Sequence, residues 1–210
     1  TYNIPNGVVD VSEDIIWGSY LEKLYIPSSV KNLEYISFWR CNNLAYIEVD
    51  PANTKFSSDG QGALYNKDMT TLLMLPYKLQ TEAFYLPDTV EEIYSNCGGD
   101  IWWSAISACY GVESFVVGEN NANFSSDSQG VLYNKDKTEI VKYPAGRKAE
   151  TYVMPNSVTN VSKLGGEALS GKYLQRIEVV PGNEFFSSDE NGILFLNYDG
   201  KNIFKIPDNI

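Results

Sequence analysis

The chain has 210 residues, 43% hydrophobic and 20% charged, which excludes disordered and coiled-coil classes and allows one large domain or two small ones. Sixteen Lys and Arg against 27 Asp and Glu give a formal charge of −11, a balance that argues against nucleic acid and anionic lipid as partners. No apolar run reaches the ~18 residues of a membrane helix, so direct membrane insertion is not expected.

The chain opens "TYNIPNG", without Met or an apolar leader core, as expected of a mature protein or an excised fragment. "YNIPNGVVDV" (2–11) is a short strand, a Pro-led polar turn, then Val and a second apolar residue three positions on. Pro fixes φ, and Asn, Asp or Ser bonds its own backbone, so the turn has a physical cause. The pattern returns at 24–33 ("LYIPSSVKNL"), 84–93 ("FYLPDTVEEI") and 152–161 ("YVMPNSVTNV"), and the terminal "FKIPDNI" begins it again.

Interlaced with it is a second pattern: "LEKLYI" (21–26), "LAYIEV" (44–49), "VESFVV" (112–117) and "LQRIEV" (174–179). Its last two apolar positions alternate as in a half-buried strand. The spacing of the first two copies falls within the range of leucine-rich repeats. These four segments are expected to be neighbouring or near-neighbouring strands of one sheet, with Leu24, Ile47, Phe115 and Ile177 inside. The residues beside the middle apolar position then face outward in two columns. One column is Lys23, Tyr46, Ser114 and Arg176; the other is Tyr25, Glu48, Val116 and Glu178.

A third phrase follows three of these strands: "FSSDGQGALYNKD" (56–68), "FSSDSQGVLYNKD" (124–136) and "FSSDENGILFLNYD" (186–199). Each is preceded by an Asn three residues before its Phe (Asn53, Asn121, Asn183) and followed by an apolar strand leading to Pro. The Asn amides are expected to be buried and bonded to main chain, because an amide can satisfy the groups a turn orphans. The single constant acid of each loop (Asp59, Asp127, Asp189) is too sparse for calcium. It is read as a turn-former ahead of Gly62, Gly130 or Gly192 at positive φ. Between Pro turn and ladder strand lie segments such as "SFWRCNNL" (37–44) and "AISACYGV" (105–112), which put Cys41 and Cys109 at one repeat position.

These motifs resemble the BspA-like branch of bacterial leucine-rich repeats, over essentially the whole chain. "VLYNKD" (131–136) is similar to that family's inserted hairpin, while "YSNCGGDIWWS" (94–104) and "LFLNYDGK" (194–201) depart from its spacing. The resemblance implies a mainly β leucine-rich-repeat solenoid with irregular repeats and inserted hairpins, with 1–210 as a single domain. It further implies a non-catalytic, secreted or cell-surface bacterial recognition module, adhesive in character, for a protein or glycan partner. A structural spacer displaying another domain is the alternative, and a carbohydrate-active enzyme or accessory module a third.

The residues add their own constraints. The chain has no His, which removes Ser-His-Asp triads, Cys-His dyads and His-ligated zinc. No acid stands out as a catalytic carboxylate, and no catalytic, metal or cofactor site is expected. The three cysteines have no metal spacing and an odd count, so Cys41 and Cys109 are read as small core hydrophobes. The exposure of Cys97 is left open. Trp17 and Trp39 fit the core, whereas Trp102 and Trp103 fit either the core or a stacking platform. With the two outward columns, Trp102 and Trp103 make up the candidate binding surface.

Overall fold

The computed structural model describes residues 1–12, 20–34, 41–96, 103–107, 109–162, 165–197 and 202–207. The described residues are nearly all strand and turn, the exception being a 3-10 turn at Gly165–Leu169. Two compact units emerge, one of residues 1–80, 89–96 and 103–109, the other of 81–88, 97–102 and 110–210.

The first unit holds a parallel ladder of Tyr2–Asn3, Lys23–Ile26 and Tyr46–Val49. Alternation places Leu24, Ile26 and Ile47 inside at 0% exposure, while Lys23, Tyr25, Tyr46 and Glu48 face outward and half-buried. A short parallel pair, Asp10–Val11 with Asn32–Leu33, runs after the Pro turns. The first recurring phrase forms a three-stranded antiparallel hairpin (Phe56–Ser58, Leu64–Asn66, Thr71–Met74), whose last strand pairs in parallel with Glu92–Ile93. Leu21, Leu44, Val30, Cys41 and Met74 close this core.

The second unit uses the same parts. Phe84–Leu86 pairs in parallel with Phe115–Val117, and Thr151–Met154 with Arg176–Val179. Phe115 and Ile177 lie inside, and the Phe84 and Phe115 rings meet edge to face at 6.3 Å. The second hairpin (Phe124–Ser126, Leu132–Asn134, Glu139–Lys142) pairs in parallel with Asn160–Val161. The third comprises Phe186–Ser188, Leu194–Leu196 and Asn202–Lys205.

One expectation is corrected here. The segments 21–26 and 44–49 are neighbours, but 112–117 pairs with 84–86 and 174–179 with 151–154, in separate sheets rather than one. The hairpins are the cause, because each follows a ladder strand and bonds to its far edge. The N–H of Ile47, Phe115 and Ile177 donates to the carbonyl of Gly62, Gly130 and Gly192 at 3.0, 2.9 and 3.1 Å. The N–H of Val49, Val117 and Val179 donates to the hydroxyl of Ser58, Ser126 and Ser188 at 2.9, 3.1 and 3.0 Å. Donors that would template another strand are thereby taken, and the ladder stops.

The Asn expectation is met in detail. Asn53 is 0% exposed, and its amide donates to the carbonyls of Pro27 and Val30 while its oxygen accepts from the N–H of Lys55 and Phe56. Asn183 repeats all four bonds with Pro155, Val158, Phe185 and Phe186. Asn121, 0% exposed, bonds Pro87, Asn123 and Phe124. Each Asn therefore ties a hairpin's first strand to the preceding Pro turn. The shared "FSS" supplies the rest, with Phe56 and Phe186 entering the core, Phe124 half-buried, and the second Ser capping the ladder edge.

Candidate functional site

Of the ten candidate surface residues, four lie on the ladder of the first unit. Register places Lys23 beside Tyr46 and Tyr25 beside Glu48. The Lys23 ammonium lies 2.6 Å from a Glu48 carboxylate oxygen and 4.9 Å from the Tyr46 ring centre. Its hydrogen bond to Glu48 is the main reason its pKa rises above the usual lysine value. Burial, then the hydrogen bond to Asp50, raises the Tyr25 phenol. The Asp50 carboxyl is held low, first by the Ala52 N–H at 2.9 Å and further by Tyr25 and Ser28. Together with Asp50, the four residues form a paired polar patch.

The two columns are not equivalent. Gly62 has φ +85°, and a Cβ there would stand 2.5 Å from the Tyr46 ring. Gly192 has φ +80°, and its Cβ would stand 2.7 Å from the Arg176 Cα, while Gly130 packs as tightly on Ser114. Glycine is required by both the left-handed backbone and the lack of room. Each hairpin turn therefore sits on the first column, covering part of Tyr46, Ser114 and Arg176. Lys23, whose strand carries no hairpin, escapes this.

The second column is half-buried at Tyr25 and Glu48 in the first unit and more exposed in the second. In the second unit, Tyr85 stands beside Val116 and Val153 beside Glu178. Tyr85 is 60% exposed, Val153 40% and Val116 36%. Arg176 reaches Glu178 at 3.5 Å and the Glu190 carbonyl at 2.8 Å, so Glu178 and Arg176 form an exposed ion pair at the column's edge. Tyr85 and Val153 were absent from the expected columns. The signal was present, since "FYL" and "YVM" have an outward residue between two inward apolar ones. The Pro-turn pattern makes both segments short strands, but without the leading apolar position of the ladder pattern they carry no signal that ties them to the columns.

The remaining candidates divide. Trp103 lies on a short strand, Trp103–Ser104, antiparallel to Ser95–Asn96. Trp102, Trp17, Trp39 and Cys97 lie outside the described residues. Cys41 and Cys109 are buried thiols, and the Cys109 sulfhydryl donates to the Ile106 carbonyl at 3.0 Å.

The loop acids bond their own turns. Asp59 accepts from the N–H of Gln61 and Ala63 and from the Tyr65 hydroxyl, at 3.0, 2.9 and 2.8 Å. Asp127 does the same with Gln129, Val131 and Tyr133, and Tyr133 also meets the Tyr152 hydroxyl at 2.8 Å. At Asp189 the tyrosine is replaced by Phe195, leaving the two backbone bonds. Among the described residues no three His, Cys, Asp or Glu side chains come together as a metal would need. Burial dominates the upward shift of the Tyr65, Tyr133 and Tyr152 phenols.

No protein-family pattern matches the chain, and no curated protein matches it. Among solved structures it is similar to a leucine-rich repeat protein from Eubacterium ventriosum, with a TM-score of 0.52 and 18% identity over 86% of this chain. The match covers 42% of that protein, so this chain spans less than half its length. Weaker likenesses are to the pneumococcal vaccine antigen PcpA (TM-score 0.46, 21% identity, 79% of this chain and 35% of that one). Another is a leucine rich cell surface protein from Faecalibacterium prausnitzii (TM-score 0.44, 18% identity, 86% and 59%). The fold is a leucine-rich-repeat β-solenoid interrupted by hairpins.

Proposed function

We propose that the chain is a non-catalytic recognition module, part of a bacterial protein that acts outside the cell or on its surface, and that it binds a protein or glycan through the second outward column. The observation that supports this most is the contrast between the columns. Hairpin turns cover the first, whereas the second presents Tyr85, Val116 and Val153 to solvent at 60%, 36% and 40%. Aromatic and aliphatic side chains held on paired strands lose little freedom when a partner covers them, which suits a binding face. Stacked repeats present such faces to extended partners.

Two observations bear on catalysis. The chain lacks His, and the constant loop acids spend their oxygens on their own turns. Two of the neighbours' descriptions, as a vaccine antigen and a cell surface protein, agree with an extracellular setting. Binding to a panel of host matrix proteins and glycans, before and after Tyr85→Ala with Val153→Asp, tests the proposal. Saturable binding that falls at least about tenfold in the double variant, the equivalent of ~1.4 kcal/mol, supports it. No binding anywhere on the panel favours the spacer.

A further inference from the structure

The second unit contains two separate ladders of two strands each, Phe84–Leu86 with Phe115–Val117 and Thr151–Met154 with Arg176–Val179. A two-stranded pair is marginal on its own in water. The second hairpin lies between the two ladders and bonds to both. Toward the first, its Gly130 carbonyl accepts from the Phe115 N–H at 2.9 Å and its Ser126 hydroxyl from the Val117 N–H at 3.1 Å. Toward the second, the Gln129 carboxamide donates to the Val153 carbonyl at 2.8 Å and accepts from the Val153 N–H at 3.2 Å. A residue of a paired antiparallel strand exchanges its two main-chain bonds in the same way. The side chain of Gln129, which carries a peptide's donor and acceptor, thus stands in for one residue of a strand.

That amide is itself aimed. Its second hydrogen points to the Asp127 carboxylate at 3.4 Å, which also accepts from the Gln129 N–H at 2.9 Å and from the Tyr133 hydroxyl at 2.9 Å. The Arg147 guanidinium donates to the Gln129 carbonyl from the other side. A second attachment lies beneath, where the Tyr133 and Tyr152 hydroxyls meet at 2.8 Å within the core. The hairpin therefore grips the Thr151–Met154 strand twice, once inside through Tyr133 and once at the outer face through Gln129. Val116 and Val153, 36% and 40% exposed, are the outward residues on either side of this joint.

We infer that Gln129 is a positioning residue of the recognition face: standing in for a strand, it holds Val153 in place against Val116 and makes one binding surface of two ladders. The inference rests on the recognition reading of the second column. A partner that touches both ladders meets Val116 and Val153 at the spacing the hairpin sets, and so needs less ordering on binding. The recurring phrase then serves recognition without touching the partner. Gln129 differs in this from Tyr133, whose bonds to Asp127 and Tyr152 hold the core together and leave the outer face alone.

Two measurements on the 210-residue chain, neither needing a partner, test it. One is native-state hydrogen exchange at the Val153 N–H. The other is the distance distribution between nitroxides on Val116→Cys and Val153→Cys in a Cys97→Ser background, Cys41 and Cys109 being buried. Gln129→Met removes both bonds at nearly constant length, and Gln129→Glu keeps only the acceptor. Gln129 is a half-buried turn residue, so both variants fold, which circular dichroism checks. Tyr133→Phe, the residue the third hairpin carries at Phe195, is the control for a purely structural loss. In Gln129→Met the Val153 N–H is expected to exchange at least about tenfold faster than in the wild type, and the distance distribution to broaden. Gln129→Glu also broadens the distances, because its carboxylate repels the Val153 carbonyl. Tyr133→Phe lowers the unfolding midpoint and leaves both readouts as they were. Distances unchanged in Gln129→Met, or broadened equally in Tyr133→Phe, overturn the positioning role. A wild-type chain that binds nothing on the panel of matrix proteins and glycans overturns the recognition reading instead, and distances measured without a partner tell the two failures apart.

Discussion

Replacing Asn53 by Ala removes four hydrogen bonds without touching the apolar core. The amide donates to the Pro27 and Val30 carbonyls at 2.8 and 3.0 Å and accepts from the Lys55 and Phe56 N–H at 2.8 and 2.9 Å. Each such bond is worth about 1 kcal/mol net, and a buried group left unpaired costs about 1–3 kcal/mol. The Lys55 N–H lies near the surface and finds water, which leaves three orphaned groups and an expected loss of ~3 kcal/mol. Urea unfolding followed by circular dichroism measures this as a lower midpoint at unchanged slope. Asn42→Ala, at an exposed position, is the control and shifts stability by less than about 0.5 kcal/mol. Asn53→Asp retains the acceptor but sets its second oxygen against the Pro27 and Val30 carbonyls, so it destabilises at neutral pH at least as much. Burial beside carbonyls raises that carboxyl's folded pKa above its unfolded value of about 3.9. Its penalty therefore relaxes at low pH and grows as pH rises through that interval. A loss below about 0.5 kcal/mol for Asn53→Ala refutes the claim that this residue pins hairpin to Pro turn.

Three further outcomes follow from named groups. Cys41 and Cys109, both 0% exposed, stay unlabelled by a thiol reagent in a Cys97→Ser chain until urea unfolds it; native-state labelling contradicts their core placement. Tyr65, Tyr133 and Tyr152 have raised folded pKa values, so the native state retains protons that the unfolded chain releases above pH ~10. Stability is full below that pH and falls as pH rises, by up to about 1.4 kcal/mol per pH unit for each phenol; an unfolding midpoint constant between pH 9 and 11.5, a range set by those phenols, contradicts this. Lys142 is fully buried with its ammonium on the Glu167 carbonyl at 2.7 Å, and Met74 fills the matching place in the first hairpin. Lys142→Met is therefore expected to be neutral or stabilising, and Lys142→Ala to cost about 2–5 kcal/mol; equal losses in both variants sink the comparison.

The repeat framework was legible because its signals are local. Leu24, Ile47, Phe115 and Ile177 were placed inside by period-2 alternation, and all four are at or below 1% exposure. Asn53, Asn121 and Asn183 were legible from chemistry, since a constant amide after a strand and before a turn has few other uses. The partition into separate ladders was not, because it depends on Gly62, Gly130 and Gly192 carbonyls reaching back to strands some fifteen residues earlier. A glycine announces positive φ but not the strand its carbonyl will reach. The same gap hid the inequality of the columns. Tyr46 reads as a free outward aromatic, and only the Gly62 turn shows that one flank of it is taken. Tyr85 and Val153 went unseen because their strands carry only the last part of the ladder pattern.

Recognition by the second column, with the recurring phrase serving as scaffold, is tested most directly by one comparison of binding isotherms. The partner is whichever matrix protein or glycan the wild-type chain binds on the panel. One variant carries Tyr85→Ala and Val153→Asp; the other carries Ser128→Ala and Glu190→Ala at exposed hairpin tips. Affinity is expected to fall at least about tenfold in the first and to stay within about twofold of wild type in the second. Loss of binding in the hairpin-tip variant, with the column variant unaffected, contradicts that assignment and makes the recurring phrase the binding site.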